Sequence, residues 1–150
     1  MNLKLATLDD LPDVVRLAEA FAHESPYASE TITGEIEQFA KDLLRDPTKG
    51  IVVLYVKDGK PVGLIGGIIT KMLMSQSLIA TELMWYVEPE HRGSRKSLAL
   101  KEAFEFWGRK MGAKFIAMSS LLQSNPSIER YYDRTGYKLQ EKAYLKVVGA

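Results

Sequence analysis

One hundred and fifty residues, 46% of them apolar, are enough for one globular domain with a proper core and too few for two ordinary ones. Twenty Lys and Arg against 19 Asp and Glu leave a formal charge of +1, so the overall balance gives no reason to expect nucleic acid or an anionic membrane as partner. The chain has no cysteine, which excludes disulfides and a thiol nucleophile, and no basic stretch leading into an apolar run at its start. A soluble, unexported, cytoplasmic protein is expected.

In chain order, Asn2 to Thr7 alternate enough for a strand, and Thr7 with Asp10 three residues later marks a helix entry. Leu11, Val14, Val15, Ala18, Phe21 and Ala22 then recur at helical spacing, and "HESPYASET" from His23 to Thr31 breaks the pattern. A second helix carries Ile36, Phe39, Ala40, Leu43 and Leu44 on one face and ends before Asp46 and Pro47. Two β-rich runs separated by Asp58 and Gly59 form the clearest hairpin, because that pair tolerates the positive φ angles of a tight turn. Gly63, Gly66 and Gly67 in its second strand point to a bulge or a closely approaching neighbour.

Ser77 to Val87 reads as a further strand, and a helix from about Ser94 to Met111 follows it after a short loop and stops at Gly112. "AKFIAMSSL", from Ala113 to Leu121, has the composition of a buried strand. "NPSIERYYDRTGY" then contains a short helix closed by Gly136, and a last strand pair is expected over Tyr137 to Val148. This alternation specifies an α/β fold in the broad sense, an α+β mixed sheet with helices on both faces, in a single domain over residues 1–150.

The loop "EPEHRGSRK" crowds Arg92, Arg95 and Lys96 around the start of a helix, where macrodipole and free N–H groups are already positive. Strand, tight Gly loop and helix in that order make a general anion site. Neither the Gly-Lys-Ser/Thr ending of a mononucleotide loop nor three spaced glycines of a dinucleotide fold is present. Taken alone, the loop is as consistent with a solvated basic turn as with an anion site.

Pro89, Arg92, Gly93, Ser97, Ala99 and Leu100 resemble the Pro-x-x-Arg-Gly-x-Gly-x-Gly/Ala pattern, followed by Ala-Leu, of the GCN5-related N-acetyltransferase (GNAT) superfamily. Asn125, Tyr132, Gly136 and Tyr137 are similar to its second signature, with Tyr137 where the family has Phe. "HESPY" resembles a segment of some bacterial and phage members. The likeness covers nearly the whole chain and implies a central, mostly antiparallel mixed sheet and acetyl transfer from acetyl-CoA to an amine of a small molecule or protein.

The same resemblance implies that Arg92, Gly93, Ser94, Arg95, Lys96 and Ser97 bind the CoA pyrophosphate. The pantetheine arm would lie between the strands Ser77 to Val87 and Ala113 to Leu121, with Tyr86, Val87 and Asn125 as further CoA contacts. Arg95 stands where the family has its second glycine, which costs nothing only if that backbone already lies in the first helical turn. Tyr132 is implied as general acid for the departing thiolate. Glu82 is the carboxylate candidate for the base, although the family's commonest glutamate aligns closer to Leu83. His23 and His91 are alternatives, and two distant histidines without cysteine predict no metal site. The resemblance also allows a homodimer. Two other functions compete with this reading: a catalytically silent acyl-CoA-binding sensor or scaffold domain, and a nucleic-acid module using "HRGSRK", which the near-zero charge disfavours.

Overall fold

The computed structural model describes residues 2–121 and 124–149. One sheet contains, in chain order, β1 (Leu3–Leu5), β2 (Gly50–Lys57), β3 (Lys60–Lys71), β4 (Leu78–Val87) and β5 (Ala113–Ala117). All neighbours are antiparallel except the parallel pair β4 and β5. A parallel pair requires a crossover, which α3 (Arg95–Lys110) supplies. The remaining helices are α1 (Leu11–Glu24), α2 (Thr33–Arg45) and α4 (Ser127–Arg134). Among the described residues no helix is long and apolar enough to cross a membrane.

Apolar layers lie on both faces of the sheet. Val14, Leu17 and Ala18 of α1 and Ala40 and Leu43 of α2 pack with Val52, Leu54, Leu64 and Met84. On the opposite face Leu100, Phe104 and Trp107 of α3 pack with Ile51, Val53, Ile65 and Ala80. At the first helix entry the Thr7 N–H donates to the Asp10 carboxylate at 2.9 Å. A single tight turn over Leu8–Asp10 precedes α1, which takes Pro12 in its first turn, where no N–H is needed.

The hairpin turn has Asp58 at φ 48° and Gly59 at φ 78°, the paired positive angles its sequence predicts. In β3 the register shifts between Gly66 and Gly67, so that Gly66 faces Met84 and Gly67 faces Glu82, leaving Leu83 as the extra residue of β4. That bulge reverses which side of the sheet later β4 residues face. Ala80 belongs to the α3 layer, whereas Met84 and Tyr86 belong to the α1 layer. Strict alternation along this strand, which would put Thr81 and Trp85 on one face throughout, is therefore broken.

Two expectations need correction. No strand pair forms over Tyr137 to Val148: residues 137–149 have no regular secondary structure, and Tyr144, Val147 and Val148 are over 80% exposed. Strand alternation shows that one face is suited to burial, but among the described residues nothing covers it. The stretch from Ala113 to Leu121 is a strand only as far as Ala117, and it is not buried. It forms the sheet edge, with Lys114 and Phe115 exposed.

Candidate active site

The loop after β4 is built by local rules. Pro89 opens a tight turn over Pro89–His91, Gly93 takes φ +74°, and Ser94 caps α3 by accepting a hydrogen bond from the Ser97 N–H at 3.1 Å. The Ser97 hydroxyl donates back to the Ser94 carbonyl at 2.7 Å. Arg95 is the first residue of α3, and its φ is not positive. An arginine in place of the family's second glycine is thus unstrained, and the first-turn amides of Arg95 and Lys96 have no intrahelical acceptor. Helix dipole and these free N–H groups meet at the start of α3, the turn that also carries the exposed cations Arg95 and Lys96.

Arg92 has a different role in this arrangement. Its Nε donates to the Val87 carbonyl at 2.6 Å, and one terminal nitrogen donates to both oxygens of Glu24 at 2.9 Å. The guanidinium also lies 5.4 Å from the centre of the Tyr86 ring. It ties the end of β4 to the end of α1. Asn125 likewise works locally, its side-chain oxygen accepting from the Ser127 N–H at 2.9 Å in the turn that leads into α4.

β4 and β5 remain paired only as far as Thr81 and Ala117. Among the described residues, Glu82 to Val87 have no strand beside them on the β5 side, so a cleft opens there directly below the loop. Glu82 follows the last paired position and lies where the two strands begin to part. Its side chain is 6% exposed, and it accepts a hydrogen bond from the Ser119 N–H at 3.1 Å. Burial disfavours the charged form and pushes the Glu82 pKa up to about 7, with the Ser119 N–H opposing that shift.

The buried Tyr132 hydroxyl donates to the carbonyl of the same residue, Ser119, at 2.8 Å. Its own pKa is raised by burial first, then by the neighbouring Glu82 charge and by Tyr131. The hydroxyl therefore keeps its proton well beyond neutral pH. The structure thus joins Glu82 and Tyr132, 50 positions apart in the chain, through one residue that sequence reasoning missed. Ser119 sits past the end of β5 in a stretch with no motif, and only the parting of the two strands shows its role. Leu83, by contrast, is 37% exposed on the bulge.

The histidines stand apart from this pair. His91 approaches the edge of Tyr55, with ring centres 6.5 Å apart, and His23 lies in the last turn of α1. Glu88, Glu90 and His91 offer ligand atoms within 4.8 Å of one another, a grouping that counting histidines could not reveal. The Glu88 carboxylate is held by Arg16 at 2.8 Å and lies 3.9 Å from Lys60. An open hollow of about 410 Å³ lined by Leu5, Leu8, Leu44 and Pro47 lies beside β1, the opposite edge of the sheet from the cleft.

Residues 14–137 match the model of the Acetyltransferase (GNAT) family, and the chain belongs to that family. Solved structures share the fold at low identity. An aminoglycoside N-acetyltransferase in complex with CoA superimposes with a TM-score of 0.79 at 14% identity, covering 99% of this chain and 94% of the other. The ribosomal-protein-alanine N-acetyltransferase of Brucella melitensis biovar Abortus 2308 gives 0.73 at 15%, covering 99% and 100%. An aminoglycoside 6'-N-acetyltransferase from Acinetobacter haemolyticus gives 0.74 at 18%, covering 100% and 99%. No curated protein sequence matches.

Proposed function

We propose that the protein transfers the acetyl group of acetyl-CoA to a primary amine of a small molecule or protein by direct attack. The observation that carries this reading is the convergence of Glu82 and Tyr132 on Ser119 where β4 and β5 part, on the strand that leads into the free first-turn amides of α3. The pyrophosphate would rest on the first-turn amides of α3 with Arg95 and Lys96 beside it. Gly93, Ser94 and Ser97 shape that seat, and Arg92 holds the loop to α1, so direct contact from Arg92 would require its pair with Glu24 to open. The acyl arm would run along the open edge of β4 past Tyr86 and Val87.

Attack forms a bond between the amine nitrogen and the thioester carbonyl carbon and breaks the bond from that carbon to sulfur. The nitrogen must lose protons and the thiolate must gain one. Glu82, half ionised near neutral pH, accepts the first directly or through water. The Tyr132 hydroxyl supplies the second by turning from the Ser119 carbonyl toward sulfur. The residues around the cleft fix no acceptor.

The test is thiol release from acetyl-CoA with a panel of aminoglycosides, polyamines and peptide amines. Amine-dependent release in the native protein should fall by about tenfold to a thousandfold in Tyr132→Phe, while acetyl-CoA affinity stays within about threefold. Equal release from both proteins, at matched stability, would remove Tyr132 from the chemistry. Tight binding of acetyl-CoA without amine-dependent release from any member of the panel would favour the silent acyl-CoA-binding domain instead.

A further inference from the structure

The buried face of α3 consists of Ser97, Leu100, Lys101, Phe104, Trp107 and Gly108, so a lysine occupies a position of the apolar stripe. Lys101 is only 2% exposed. Removing an ammonium from water is costly unless charge and hydrogen bonding offset it. Here the offset comes from one carboxylate and two aromatic faces. Lys101 pairs with Glu105, one turn further along α3, and its Nζ lies 5.2 Å from the centre of the Tyr131 ring and 5.0 Å from that of Tyr137. Glu105 also accepts a hydrogen bond from the Tyr137 hydroxyl at 2.7 Å. The oxygen that Tyr137 adds to the family's Phe is therefore used.

These contacts matter because, among the described residues, α4 is otherwise anchored by one buried ring and the bond from its hydroxyl to the Ser119 carbonyl. It has eight residues, and Tyr132 is the only buried one. A helix of two turns is not stable by itself, and one buried ring does not fix its rotation. The two tyrosines that enclose Lys101 flank Tyr132 on either side. Tyr131 precedes it. The Tyr137 ring lies 5.4 Å from the Tyr132 ring, and the Tyr137 N–H donates to the Tyr132 carbonyl at 3.0 Å.

We propose that Lys101, Glu105 and Tyr137 form a polar latch between α3 and the turn that closes α4, acting as positioning residues that hold the Tyr132 hydroxyl at the Ser119 carbonyl. The inference rests on the reading of Tyr132 as proton donor. It links the acyl-CoA seat to the proton donor through a single helix, since α3 carries the anion site at its start and the latch near its middle.

The experiment uses Lys101→Met, which keeps the stem and removes the charge, and Tyr137→Phe, which keeps the ring and is the safer variant for folding. Each is measured alone and combined with Tyr132→Phe. Hydrogen exchange is followed at residues 127–137, and amine-dependent thiol release from acetyl-CoA is measured with the same panel of aminoglycosides, polyamines and peptide amines. In Lys101→Met, exchange in α4 should rise by about tenfold or more while the first turn of α3 is unchanged. Turnover should fall by about tenfold at unchanged KM for acetyl-CoA, with a fall of about threefold in Tyr137→Phe.

In the Tyr132→Phe background neither change should lower turnover further, because a latch that acts through the hydroxyl has nothing left to position. Wild-type exchange in α4, or the same fractional loss with and without the Tyr132 hydroxyl, would overturn the latch alone. Wild-type turnover in Tyr132→Phe itself would overturn the proton-donor reading and the latch together.

Discussion

Glu82 sits where its acid and base forms balance near neutrality, which makes two outcomes predictable. Its folded pKa of about 7 lies above the ordinary value of 4.5, so the native state holds a proton that the unfolded chain has released. Stability from this group is fully present below about pH 4.5 and is lost as pH rises to about 7, by at most about 3 kcal/mol. Denaturant titrations across that window should show the fall in the native protein and a flat profile in Glu82→Gln. A native profile that rises with pH would contradict the burial argument. Turnover limited by this base should rise through about pH 7, and the opposite limb set by Tyr132 should lie above pH 10, because burial raises its pKa. Glu82 and Tyr132 were legible as candidates in the sequence, one from its strand and one from its signature. Ser119 and Lys101 were not: a serine beyond a strand end has no pattern, and a lysine within an apolar stripe resembles one that reaches out to solvent.

Among the elements, β4 and α3 determine the site, and their interplay shows what local patterns can and cannot reveal. The glycines of β3 announced a bulge or a close neighbour, and both are present. A Cβ at Gly67 would lie 2.4 Å from the Thr81 carbonyl oxygen and 2.5 Å from a Phe104 ring carbon. Gly67→Ala should therefore cost about 1–3 kcal/mol, read as a lower midpoint in urea, whereas an unchanged midpoint would mean that α3 and β4 can move apart freely. The consequence of the bulge was not legible, since alternation carries no mark of where it reverses. Arg95 was legible only as an alternative, and the start of α3 resolved it in favour of an unstrained first-turn residue. Its side chain is expected to face phosphate, so Arg95→Ala should weaken CoA by about 1.5–3 kcal/mol in calorimetry and spare dephosphorylated pantetheine. Unaltered CoA affinity would leave that side chain in solvent.

For the whole molecule, the order of elements through α4 followed from periodicity, capping and turn residues, because each of those signals is local. The final stretch did not, because a strand needs a partner that local pattern cannot supply, and residues 137–149 have none in their described form. The sheet instead ends at β5, whose early departure from β4 opens the cleft. We propose that one acyl-CoA occupies both that cleft and the basic start of α3. Titration calorimetry with acetyl-CoA and with free CoA, followed by thermal melting at saturation, tests this most directly. Both ligands should release or absorb measurable heat, and at one hundred times the dissociation constant either should stabilise the fold by about 2.7 kcal/mol and raise the melting temperature. No heat and an unchanged melting curve with either ligand at millimolar concentration would contradict it.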